Sequence, residues 1–345
     1  MNYIEMILLT VFSFGLTYLL VPLNIKLALQ LKLVDEPNER GIHKTAVPVG
    51  GGLAFAAVSI VFQFLISLYF TDYTTRIFGL IIAGTLIVIL GILDDERKFT
   101  ANYKLIFQIL IVAFIYFTGF KIDILTNPFG KTIFLGYFSF PITVIWFLLI
   151  INAFNLIDGI DGLATGIAII ASIVLFAVGI KHNNLLVAAL SLVLIGSCSA
   201  FLKFNFYPAR IFMGDTGSMF LGLNLAAISV IGSGEFKGIT TMTLIIPIIV
   251  LVIPISDTLL TVFRRIRNKK HIFQADKEHL HHRMMDHGFS QKTIALTGYF
   301  VTFLFGLIAF GFSFASSKIL LIILLILLIT IFIALYFLIK KEFWK

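Results

Sequence analysis

Ile77-Phe78-Gly79-Leu80-Ile81-Ile82-Ala83-Gly84-Thr85-Leu86-Ile87-Val88-Ile89-Leu90-Gly91-Ile92-Leu93 runs without a charge and stops on Asp94-Asp95. A continuous apolar run of this kind suits a helix crossing a hydrocarbon core of roughly 30 Å. It does not show the alternation of a barrel strand. In lipid such a segment has to satisfy its own backbone hydrogen bonds, which a helix does. The same pattern recurs along the chain, at about 3–31, 49–70, 105–118, 141–157, 162–180, 185–202, 217–233, 240–263, 293–315 and 319–339. The expectation is an all-α polytopic membrane bundle of about eleven helices, ten if the shortest runs are counted differently.

Composition agrees. Of 345 residues, 59% are hydrophobic and only 13% charged, and the mean hydropathy is +1.03. A soluble domain carries roughly twice that charge. Residues 1–345 read as one integral membrane domain, with no internal repeat and no low-complexity tract. The first run lacks a preceding basic segment and is too long for a signal-peptide core, so it reads as a retained span. A single cysteine, Cys198, rules out an internal disulfide and a cysteine metal cluster.

A net charge of +8 could suggest nucleic acid, but in a membrane protein the distribution of charge decides. Of 26 Lys and Arg, 19 fall in one alternating set of loops with the C-terminal tail, and 6 in the other set. Positive loops mark the cytoplasmic side. The N-terminus is therefore expected outside, the C-terminus in the cytosol, and nucleic acid is not an expected partner. The one long outer connection, 119–140, carries the turn signal Thr126-Asn127-Pro128-Phe129-Gly130 between apolar stretches, which suits a small β-hairpin.

The acids follow the same asymmetry. Of 18 Asp and Glu, 13 belong to the basic set of loops or their helix junctions, and Asp257 lies within a span. Asp94-Asp95, Asp158, Asp161 and Asp215 sit among Gly, Ile, Leu and Phe rather than in polar loops. Adjacent carboxylates repel and call for water, a cation or a basic partner. Asp94-Asp95 could be a solvated helix end, but negative charge there opposes the helix dipole. Asn152-Ala153-Phe154-Asn155-Leu156-Ile157-Asp158-Gly159-Ile160-Asp161-Gly162 is a loop with no basic residue, and its Asn and Asp pairs, each three apart, would share a face on a helical turn. In Met213-Gly214-Asp215-Thr216-Gly217-Ser218, Asp215 or Thr216 could cap the next helix or present a carboxylate to a cation. The segment Arg264–Arg283 holds the largest share of the basic loop residues, with His279, His281 and His282 at its end. It could attract anionic lipid headgroups, but histidine and arginine beside carboxylates suit phosphate handling. Oxygen ligands with room for phosphate suggest magnesium. The chemistry implied is phosphoryl transfer between a soluble reagent and a lipid. A cation-coupled transporter, with Asp257 as its only intramembrane acid, is the alternative of another class.

These motifs together resemble the polyprenyl-phosphate N-acetylhexosamine-1-phosphate transferases of the glycosyltransferase 4 type. The resemblance runs through Pro37-Asn38-Glu39-Arg40, His43-Lys44, Pro48-Val49-Gly50-Gly51-Gly52, Asp94-Asp95, Asn152 to Ala164, Phe204-Asn205 to Asp215, and His279 to His282. It looks most like the branch that moves GlcNAc-1-phosphate from UDP-GlcNAc to undecaprenyl phosphate, because Leu280 interrupts the histidine run where the phospho-MurNAc-pentapeptide branch has three in a row. That other branch stays open, as does the glycan supplied (wall polymer, teichoic acid or lipopolysaccharide).

The resemblance implies a bacterial cytoplasmic-membrane enzyme using Mg²⁺, Mn²⁺ being the other ion these donors would take. It implies metal binding by Asp215 with Asp94 and Asp95, and catalytic parts for Asp94, Asp95, Asp158, Asp161 and His279. Lys44, Asn152, Asn155, Asn205, Phe212, Arg265, His281 and His282 are implied in substrate binding, with Phe212 stacking on uracil. Whether Asp94 acts as base or metal ligand, and whether the chain forms a homodimer, it leaves open.

Overall fold

The computed structural model describes residues 1–36, 46–126, 132–234 and 288–312, together with Ile255, Met284, Met285, Ile322, Ile326 and Ile329. It is helical. The helices are α1 (Tyr3–Gln30), α2 (Gly52–Tyr69), α3 (Thr74–Arg97), α4 (Ala101–Phe117), α5 (Ser139–Ile157), α6 (Leu163–Lys181), α7 (Leu185–Asn205), α8 (Gly214–Gly234) and α9 (Gln291–Phe312). Eight are long and apolar enough to span a membrane, and α4 is a shorter apolar helix. These nine correspond to nine of the expected spans. The other two, 240–263 and 319–339, lie outside the described residues apart from Ile255, Ile322, Ile326 and Ile329.

Two small antiparallel sheets join the helices. The pair β1 (Val34–Asp35) and β2 (Val47–Pro48) follows α1. The expected hairpin is present as β3 (Ile124–Thr126) and β4 (Thr132–Phe134), with Leu125 opposite Ile133.

Helix α8 is the axis of the bundle: 89% of its apolar window is buried, against 22% for α1. It packs against α2, α3 and α5, while α6 and α7 pair with each other, α1 covers α7, and α9 covers α6. Close approach through small residues is how helices associate without a hydrophobic drive between them. Gly91 and Gly52 supply it here. A Cβ on Gly91 would stand 2.4 Å from Thr216 Cα, and one on Gly52 would stand 2.1 Å from Gly217 Cα. Both contacts lie at the α8 N-terminus, so they set how near Asp94, Asp95 and Asp215 come. Gly91→Ala is therefore expected to cost about 1–3 kcal/mol of stability by overpacking, read as a lower melting temperature in detergent.

Helix ends differ from the sequence expectation by up to four residues: α3, α7, α8 and the start of α4 run longer at the polar ends, whereas α2 begins at Gly52, three residues later than expected. Helix α3 continues through Asp94 and Asp95 instead of stopping at Leu93, and closes at Lys98 in the left-handed conformation. The Asp94 side chain stabilises that ending by accepting from Phe99 N at 2.8 Å. Helix α4 starts at Ala101, which makes Lys104 a first-turn residue of a helix and not a loop cation.

Candidate active site

Four helix ends meet beside the α8 N-terminus: the C-terminal turns of α3 and α5 and the N-terminal turns of α4 and α8. Lys104 is at the centre. Its side chain is 13% exposed, and its Nζ contacts Asp94 Oδ2 at 2.8 Å, Asn155 Oδ1 at 3.2 Å, and Asp215 Oδ2. Asn155 turns its amide the other way, donating to Asp215 Oδ1 at 2.5 Å and Ser218 Oγ at 3.0 Å. Oxygens from three helices thus converge on one ammonium. Sequence reasoning missed Lys104, since a lysine just after an acidic helix end looks like any positive-inside loop residue.

Asp95 faces another way. It accepts from Asp215 N at 2.8 Å, from Thr216 N at 3.2 Å and from Thr216 Oγ1 at 2.7 Å. The first N–H groups of a helix lack intrahelical partners. The cap of α8 is therefore a carboxylate from α3, and not the side chain of Asp215 or Thr216 as the local sequence suggests. This leaves the Asp215 carboxylate available to Lys104 and Asn155.

Of the two pairs at the α5 end, the Asn pair lies on a helix as expected and the Asp pair does not. Asn152 and Asn155 are on α5, but Asp158 is its C-cap and Asp161 lies in the turn beyond. Helix α5 ends at Ile157, before both acids, and Gly162 at φ +75 opens α6 after them. Burial pushes the Asp158 carboxyl well above the ordinary carboxylate range, and the charges of Asp215, Asp95 and Asp161 push the same way. Four carboxylates thus sense one another, and the cluster favours an added proton or cation. Asp161 Oδ2 accepts from Ala209 N at 2.9 Å, which ties this turn to the segment between α7 and α8.

That segment, 206–213, is fixed at several points. Asn205 is 2% exposed, accepts from Thr165 Oγ1 at 2.7 Å, and donates to Ile211 O at 3.1 Å. Phe212 N donates to Pro48 O, and Phe212 O accepts from Gly51 N, each at 2.8 Å. Asn205 thus shapes the segment from beneath, and the Phe212 ring is carried on a pinned backbone beside the glycines of the α2 start. Asn152 also supports from behind: its amide donates to Gln108 Oε1 at 2.9 Å and Leu148 O at 2.8 Å. The structure therefore brings together Asp94, Asp95, Asn155, Asp158, Asp161 and Asp215, with Asn205 and Phe212 alongside. Lys44, Asp257, Arg265, His279, His281 and His282 lie outside the described residues.

Among the described residues, no three His, Cys, Asp or Glu side chains are grouped closely enough to hold an ion unaided. The donors around Lys104 still suit a hard cation. Asp94, Asp215 and Asn155 offer oxygens to one point, and Mg²⁺ is usually bound by one or two carboxylates plus substrate phosphates.

The chain resembles known proteins over most of its length. Residues 77–233 match the family described as glycosyl transferase family 4. The chain is 39% identical over 296 residues to the "probable undecaprenyl-phosphate N-acetylglucosaminyl 1-phosphate transferase" of Bacillus subtilis (strain 168), covering 85% of this chain and 81% of the relative. The chain belongs to glycosyl transferase family 4. A second relative, the decaprenyl-phosphate N-acetylglucosaminephosphotransferase of Mycobacterium leprae (strain TN), is 35% identical over 86% of this chain and 80% of its own length. The phospho-N-acetylmuramoyl-pentapeptide-transferase of Halalkalibacterium halodurans is 29% identical over 88% of this chain and 96% of its own. The family 4 match begins at the run that opens α3 and ends in α8, so it takes in every residue of the Lys104 cluster.

Proposed function

We propose that the chain transfers N-acetylglucosamine-1-phosphate from UDP-N-acetylglucosamine to undecaprenyl phosphate, giving undecaprenyl-diphospho-N-acetylglucosamine and UMP. One observation carries the reading: a cluster of oxygen donors around a cation, at helix ends, in a chain 39% identical over most of its length to a relative named for this transfer. An oxygen of the lipid phosphate attacks the phosphorus that bears the sugar. The bond from that phosphorus to the bridging oxygen breaks, and UMP leaves with the electron pair.

Mg²⁺, or Mn²⁺ in its place, would be held by Asp215 and Asp94 with Asn155 beside them. When bound, it supplies positive charge that offsets the charge of two anionic reagents. The chain's own residues do the positioning. Asp95 fixes the start of α8 and hence Asp215. Asp161 and Asn205 hold the segment that carries Phe212, where by resemblance the uracil stacks. Lys44, Arg265, His279, His281 and His282 would complete the diphosphate and sugar side. The positive-inside bias supports a bacterial cytoplasmic membrane with the site on the cytoplasmic face, where a nucleotide sugar and a lipid phosphate meet.

A general base is not required. A phosphate monoester has a second pKa of about 6 and is largely ionised at neutral pH. Asp94 is 8% exposed, with Oδ1 taken by Phe99 N and Oδ2 by Lys104. Asp94→Asn is therefore expected to lose activity by the same factor from pH 6.5 to pH 9 (about 100-fold, as for a positioned charge). A loss that shrinks as pH rises would assign Asp94 to proton abstraction.

The reading is tested with purified protein, undecaprenyl phosphate, Mg²⁺, and UDP-GlcNAc, UDP-GalNAc and UDP-MurNAc-pentapeptide assayed side by side. UMP release and a lipid-linked GlcNAc product with the first alone are expected. Turnover of the pentapeptide substrate alone would move the chain to the branch of the H. halodurans relative. Cation flux in proteoliposomes without UMP would replace transfer by transport.

A further inference from the structure

Tyr299 lies on α9, outside residues 77–233, yet it reaches into the turn that carries Asp158 and Asp161. Its ring enters α6 where a glycine leaves room: a Cβ on Gly166 would stand 2.1 Å from Tyr299 Cε1. Its hydroxyl donates to Gly162 O at 2.6 Å. That carbonyl also accepts from Gly166 N at 2.9 Å, so one oxygen joins the first turn of α6 to a side chain of α9. Gly162 is the residue at φ +75 where the acid-bearing turn becomes helix.

We infer that Tyr299 is a positioning residue for the nucleotide side of the site, acting through Gly162 on the Asp158–Gly162 turn. Tyr299 is half-buried; a tyrosine so placed ordinarily finds some partner for its hydroxyl, and helix packing alone would be served by phenylalanine. What singles out this tyrosine is the group it bonds. Gly162 O sits one residue after Asp161, and Asp161 in turn holds Ala209 N of the Phe212 segment. The path runs from the phenol to Gly162, its neighbour Asp161, and the Ala209 N–H that Asp161 holds. Ala209 lies three residues before Phe212 on the same pinned segment. Nothing in this path meets the reacting phosphorus, so a loosened turn should weaken nucleotide capture more than it slows chemistry.

The substrate assignment rests on the transfer proposed above, and the test therefore has a readout that does not need it. In the full chain, Tyr299→Phe keeps the ring in its slot and removes only the hydroxyl. KM for UDP-GlcNAc is expected to rise about fivefold, the effect of one neutral hydrogen bond, with kcat and KM for the lipid phosphate changed less than about twofold. Amide exchange in peptides spanning Asn155–Ala164 should accelerate by a similar factor, while the middle of α6 and of α9 stays as in the wild type. Exchange that accelerates along all of α6 and α9 would make Tyr299 a packing residue and overturn the inference. Unchanged exchange at the turn would overturn it as well. If the wild type does not turn over UDP-GlcNAc, the proposed function fails, and exchange at the turn still decides the role of Tyr299.

Discussion

Asp215→Asn is expected to lower kcat by about a thousandfold or more, and the residual rate should no longer respond to Mg²⁺. A drop of that size corresponds to about 4 kcal/mol of lost barrier reduction, in the range found when a preorganised charge is removed at a reacting centre. The substitution is nearly isosteric and its backbone is held independently, since Asp215 N donates to Asp95 and not to its own side chain. Lys104 retains Asp94 at 2.8 Å. One negative charge also leaves a cluster in which Asp158 already senses Asp95, Asp161 and Asp215. An amide would set its NH2 against one of the two donors that the carboxylate accepts from, Asn155 Nδ2 and Lys104 Nζ. The melting temperature should therefore fall modestly, and by less than for Lys104→Met, while activity collapses. That disproportion distinguishes a site role from a folding role. The check is UMP release titrated with Mg²⁺, beside a melt of the same preparation. Near-normal activity at saturating Mg²⁺ would remove Asp215 from any metal role.

The parts of this site that were legible in sequence are those fixed by local contrast. An acid after Gly-Ile-Leu, as at Asp94, is conspicuous because the membrane makes it so, and the helix register around it follows from the apolar run alone. The resemblance then gathered Asp94, Asp158 and Asp215 into one place, as the fold does. Partner choice was less legible. Asp95 and Asp94 are adjacent and chemically identical, yet one caps α8 through an N–H 120 residues away and the other holds a lysine. Nothing in their own neighbourhood distinguishes them, because the decision is made by Gly91 allowing α3 to lie against Thr216. Asp158 and Asp161 looked like one helical face because the spacing permits it. Helix α5 ends at Ile157, so that spacing falls in a turn and not on a helix. Tyr299 could not be found locally at all, since its bond to Gly162 spans 137 residues.

Lys104→Met is the second large effect, and it tests whether a lysine and a metal share one set of oxygens. The ammonium is the counter-charge to Asp94 and Asp215 in a pocket where its side chain is 13% exposed. Removing one partner of a buried pair typically costs about 3–5 kcal/mol, because the remaining charge stays buried and unpaired. Here two carboxylates are left facing each other, so a clear fall in melting temperature and a loss of activity of about 100-fold or more are expected. The informative comparison is with Mg²⁺ added. A cation that binds the folded state stabilises it by an amount set by its concentration over its dissociation constant. With the ammonium gone, the oxygens of Asp94, Asp215 and Asn155 are free to take it, so Mg²⁺ should raise the melting temperature of the variant by more than that of the wild type. Adding Asp94→Asn to Lys104→Met should recover part of the stability and none of the activity, since it relieves the repulsion without restoring a cation. Equal Mg²⁺ stabilisation of variant and wild type would mean that lysine and metal use different oxygens, and would move the proposed metal position away from the Asp94–Asp215 pair.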